Sequence, residues 1–96
     1  MILTDEQLRE IEELSGLFLS PREIAILMDL NGEWFADSIL SCSGPAYMAY
    51  FKGKTLSKKM IHENVIKMAK HGSPQAEELA RDMIVQQKIE EKRAKR

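Results

Sequence analysis

Each of the three prolines in this chain stands directly behind a serine or a glycine, at Ser20-Pro21, Gly44-Pro45 and Ser73-Pro74. Proline is tolerated at the first position of a helix, where its missing N–H costs nothing, and is excluded from the interior. Helices can begin at these three points but do not run through them. β-branched runs are missing, and Leu, Ile, Met, Ala, Glu, Lys and Gln dominate, so the intervening segments favour helix over strand. A length of 96 residues allows one modest core, and the expected fold class is all-α.

The stretch "LTDEQLREIEELSG" predicts a first helix. Thr4 and Gln7 form a capping box, Leu8, Ile11 and Leu14 share a face, and Gly16 offers a left-handed stop. "SPRE" repeats the grammar, with Ser20 as N-cap and Glu23 closing the box, for a second helix from Pro21 to about Asp29. Asn31-Gly32 reads as a turn dipeptide able to take positive φ, followed by a short helix from Glu33 to about Leu40. Ser41, Ser43, Gly44 and Pro45 then break the pattern.

From Pro45 to Lys70 one long helix is favoured, with Tyr47, Tyr50, Phe51, Ile61, Val65, Met68 and Ala69 on one face. Gly53 and Thr55 mark the alternative, a break. Gly72, Ser73 and Pro74 then stop one helix and start the last, whose Ala76, Leu79, Ala80, Met83 and Ile84 face one side in an antiparallel hairpin. Beyond Gln87 the sequence "KIEEKRAKR" is charged all round and is expected to fray. The organisation is a helix-turn-helix-like three-helix unit over residues 1–44, then a long helix and hairpin over 45–96, in one compact domain.

Charge is distributed unevenly. Residues 1–40 hold two cations against nine acidic residues, a net of −7, and the remainder carries +6. Such asymmetry fits either a polyanion bound through one half or head-to-tail contacts between subunits. No apolar run approaches the roughly 20 residues that cross a bilayer, and "MILTDEQ" has no secretory leader pattern, so no membrane partner and a cytoplasmic location are expected. Cys42 stands alone, excluding an internal disulfide, and no CxxC or Cys/His cluster suggests zinc.

Within "LSPREIAILMDLNGEWFADSI", the residues Ile24, Ala25, Met28, Leu30 and Phe35 fall where a helix-turn-helix needs apolar or small contacts. Asp29 stands in the usual glycine place and can partly meet its left-handed geometry. With "SPREIAILMDLNGEWF", "GPAYMAYFKGK" and "VIKMAKHGSPQAEELA", most of the chain resembles the small terminase subunits of tailed bacteriophages and prophages. That resemblance implies an N-terminal motif that binds the viral packaging site, helices that assemble subunits into a ring, and a packaging motor subunit as a further partner.

The second helix of the motif offers Glu33, Asp37 and Ser38 and no cation, whereas groove readers bring cations to phosphates and bases. Phosphate contacts with double-stranded DNA are therefore assigned to Lys52, Lys54, Lys58, Lys59, Lys67 and Lys70. The oligomer interface is assigned to Tyr47, Tyr50, Val65, Leu79 and Met83. The alternative is a self-assembly adaptor, its acidic motif docking on a neighbour's basic hairpin without DNA. Trp34 and Phe35 are read as core. His62 and His71, nine apart, fall on opposite sides of a continuous helix and share no metal. No catalytic constellation, cofactor motif or activated thiol is visible, so the expected function is recognition and assembly without chemistry.

Overall fold

The computed structural model describes residues 2–94, which are all-α with no strand. Five helices follow in order: α1 (Asp5–Gly16), α2 (Pro21–Leu27), α3 (Gly32–Leu40), α4 (Pro45–Lys70) and α5 (Pro74–Ala94). They group into two compact units, Met1–Lys58 and Lys59–Arg96, so the division falls inside α4 rather than ahead of it at Gly44.

The first unit is built from capped helices. The Thr4 hydroxyl accepts from the Gln7 N–H while the Gln7 side chain accepts from the Thr4 N–H. Ser20 and Glu23 repeat that exchange at α2, and Asn31 caps α3 by accepting from the Trp34 N–H at 2.9 Å. Each box satisfies donors that a helix start otherwise leaves unpaired. Ile11, Ile24, Ala25, Phe35, Ile39, Ala46, Ala49 and Tyr50 are buried together, with Leu8, Leu14, Met28, Leu30 and Trp34 packed around them. Trp34 and Phe35 belong to this core, their ring centroids 6.4 Å apart.

The helix ends differ from expectation. Gly16 stays helical, and the left-handed residue that closes α1 is Phe18, at φ 62°. Nor do Asn31 and Gly32 take positive φ. That conformation belongs to Asp29, at φ 55°, where the Leu30 N–H donates to the Ala25 carbonyl and the Asp29 N–H to the Ile26 carbonyl. This pair of bonds is the Schellman closure, which needs one left-handed residue just past the helix. It ends α2 at Leu27, two residues before Asp29.

Gly53 does not break α4. It is buried where α1 and α4 cross, and a Cβ there would collide with the Glu12 carbonyl oxygen and the Ser15 hydroxyl. A Cβ at Gly16 would in turn sit 2.9 Å from the Ser57 Oγ and 3.3 Å from the Gly53 carbonyl oxygen. Both glycines are explained by backbone approach.

In the second unit, Lys59–Lys70 of α4 and the whole of α5 form a hairpin. Gly72, at φ 91°, closes α4, with the Ser73 N–H donating to the Met68 carbonyl, and the Ser73 hydroxyl caps α5 by accepting from the Ala76 N–H. Contrary to the expected fraying, α5 stays helical to Ala94, its last turns tied by Gln86 and Arg93 donating to the Glu90 carboxylate. Lys95 and Arg96 lie outside the described residues.

Candidate nucleic-acid and assembly surfaces

α3 buries Phe35 and Ile39 and turns Glu33, Asp37 and Leu40 outward. Together with Arg22 and Ile26 of α2 these outward residues border an open groove of about 830 Å³. Ile26 and Leu40 are about three-quarters exposed there, at 75% and 77%, and Arg22 is the only cation against two carboxylates. A phosphate backbone approaching this helix would meet net negative charge, which opposes its binding there. The exposed Glu23 is a separate case. Its carboxylate accepts from the Ser20 backbone N–H and hydrogen-bonds the Ser20 hydroxyl, which together hold its pKa below the usual 4.5.

The six lysines divide equally between the units. Lys52, Lys54 and Lys58 belong to the first, and Lys59, Lys67 and Lys70 to the second. Five are exposed. Lys54 is half-buried, its ammonium 5.3 Å from the ring centroids of both Tyr50 and Phe51, an attraction that draws it over the aromatic faces. In the second unit Lys59, Lys67 and Lys70 line one shallow depression of about 690 Å³ with His62, Glu63 and Ile66. Lys59 pairs with Glu63 at 3.3 Å on the surface, a contact worth roughly 0.3–0.5 kcal/mol, while Lys67 and Lys70 form no ion pair among the described residues. These three lysines are the part of the predicted phosphate site that the fold brings together.

The predicted interface residues separate. Tyr50 is 8% exposed and part of the first unit's core, which also pushes its phenol pKa above 10 by desolvation, so it does not present a docking surface. Tyr47 is half-buried, its ring 4.6 Å from that of Phe51. Val65 and Met83 are half-buried in the hairpin, and Leu79 is exposed. The single long stripe expected along α4 is therefore used piecemeal. Its first part closes the core of one unit, while Ile61 and Met68 remain open in the other.

Among the described residues of the hairpin unit Ala76 is the only buried one, whereas Met60, Ile61, Ile66, Met68, Leu79, Ile84, Val85 and Ile89 are exposed. A segment this short has no core of its own, and units below about 40 residues usually need an additional staple or a partner. At 100° per residue, Lys59, Lys67 and Lys70 occupy the side of α4 opposite Ile61, Val65 and Met68. Met60 and Ile66, however, lie among the lysines, so the basic side is not free of apolar residues.

Two features escape a reading of the sequence. The α2–α3 groove depends on Ile26 and Leu40 being turned away from the core, which periodicity in such short helices does not show. Along α5, Arg81, Val85, Lys88, Ile89 and Lys92 form an outward basic and apolar stripe, legible in their three- and four-residue spacing once the helix is known to continue. Among the described residues no cluster of three His, Cys, Asp or Glu is placed to hold a metal, and no helix is long and apolar enough to cross a membrane. In comparisons with known proteins, no family model, no curated sequence and no solved structure matches this chain.

Proposed function

We propose that this chain is a non-enzymatic, self-assembling DNA-binding protein of the terminase small subunit type that its sequence resembles, a component of viral DNA packaging. DNA is held through its phosphates by α4 and is not read by α3. The observation that supports this reading is the depression on the hairpin that gathers Lys59, Lys67 and Lys70 against the single carboxylate of Glu63, on the side of α4 away from Ile61, Val65 and Met68. Such a helix can face a polyanion and a second subunit at once. Assembly multiplies weak phosphate contacts through effective concentration. A packaging motor subunit is the further partner that the resemblance implies.

The second reading, an assembly adaptor that never meets DNA, is favoured by one observation, the acidic outward face of α3. Fluorescence anisotropy of a labelled random duplex separates the two. DNA binding predicts affinity at low salt that collapses as salt rises. It also predicts that replacing Lys59, Lys67 and Lys70 by Ala flattens the logarithmic salt slope by about 3, roughly one per lost phosphate contact. No binding at low salt leaves the adaptor.

A further inference from the structure

We propose that the α2–α3 groove receives the outward face of α5 from a second copy of this chain, joining subunits head to tail. This inference rests on the self-assembly half of the proposed function and adds a contact distinct from the apolar side of the hairpin. The groove offers two carboxylates, Glu33 and Asp37, between exposed Ile26 and Leu40. The α5 stripe offers Arg81, Lys88 and Lys92 around exposed Val85 and Ile89.

The two surfaces match in three respects. Charge is complementary at the contact itself, where Glu33 and Asp37 would meet Arg81, Lys88 and Lys92, although α5 over its whole length holds four cations against five carboxylates. Spacing is the same, since Glu33 and Asp37 lie one helical turn apart, as do Lys88 and Lys92, so both charge pairs repeat at roughly 6 Å. Each face also lies opposite one already in use, for α3 buries Phe35 and Ile39 on its other side and α5 packs Ala76, Ala80 and Met83 on its other side. A helix laid in an apolar groove with charges at its rim is a recurrent mode of recognition. Because every copy carries both halves, the contact is heterologous, and it propagates into a closed ring or an open chain.

Mass measured by light scattering or sedimentation over a concentration series tests this, with circular dichroism recording helicity. The Glu33→Lys, Asp37→Lys double variant and the Lys88→Glu, Lys92→Glu double variant should each associate at least tenfold more weakly than the native chain, and an equimolar mixture of the two should regain association. Raising salt should weaken the native contact. Native association in either double variant, or a mixture that fails to recover, overturns the proposal. Should a double variant lose helicity, Leu40→Ser probes the same contact through its apolar part, and unchanged association there overturns it as well. A native chain that stays monomeric throughout overturns both this contact and the self-assembly reading. Native assembly that resists charge reversal but yields to Leu79→Asp overturns this contact alone.

Discussion

The Ser57 hydroxyl donates a 2.6 Å hydrogen bond to the Gly16 carbonyl, 41 residues away in sequence, and ties α4 to the end of α1. The bond exists because Gly53, one turn earlier on α4, has no side chain to hold the helices apart. Ser15, fully buried at the same crossing, turns its hydroxyl back onto the Glu12 carbonyl at 3.0 Å, leaving no polar group unpaired there. The expected outcome is that Gly53→Ala destabilises the protein by about 3 kcal/mol, since the new methyl meets backbone and cannot be absorbed by a side-chain rotation. Ser57→Ala should cost about 1 kcal/mol. Gly32→Ala, where a Cβ meets nothing within 4 Å, should be neutral or slightly stabilising, and urea unfolding of the three variants checks the order.

Cys42 is exposed and left-handed, at φ 56°, where it closes α3 with its N–H donating to the Ile39 carbonyl. A side chain in that conformation carries a steric cost of roughly 1–2 kcal/mol that glycine avoids, part of which glycine returns through its freer unfolded state. Cys42→Gly should therefore stabilise by about 0.5 kcal/mol, raising the melting temperature by a few degrees in a thermal scan. A lower melting temperature would show that the thiol makes a contact of its own.

Tyr50 contributes to stability with a definite sign. Burial raises its folded pKa above the ordinary 10.0, so the neutral phenol is the form the fold prefers. That contribution is complete below pH 10 and is lost as pH rises from there through the folded value. Glu23 runs the other way, its lowered pKa giving stability that is present above 4.5 and lost as pH falls through the folded value. Unfolding measured against pH should show Tyr50→Phe removing part of the alkaline decline and Glu23→Gln part of the acid decline.

Leu79 tests the proposed subunit interface against a core role. It is 52% exposed on α5, so Leu79→Asp should leave helicity and the first unit's unfolding transition within about 0.5 kcal/mol while lowering the assembled mass. Phe35→Ala, at a fully buried position, should instead cost about 3–5 kcal/mol and disrupt that transition. Retention of native mass by Leu79→Asp would remove this residue from the subunit interface.

The helix starts were legible because capping is local chemistry. Thr4 with Gln7, Ser20 with Glu23, and Ser73 ahead of Pro74 each involve donors and acceptors within a few residues. The core of the first unit could also be read in outline from Ile11, Ile24 and Phe35, since an apolar side chain at the right period has one favourable place to go. The six lysines were visible as a charge run, yet helical spacing alone did not show that they divide between two units, or that the Lys54 ammonium is drawn over two rings.

By itself, the sequence determined where helices begin, that no strand competes with them, and that negative charge gathers ahead of Ser41 and positive charge behind it. Tertiary structure decided what the glycines are for. Gly16 and Gly53 read locally as a stop and a break, and both are points of helix contact, because a missing Cβ matters only when another backbone arrives. It also decided which apolar residues stay in water. Ile26, Leu40, Ile61 and Leu79 are as greasy as those in the core, and only the packing of one helix on another turns them outward, where a second molecule can cover them.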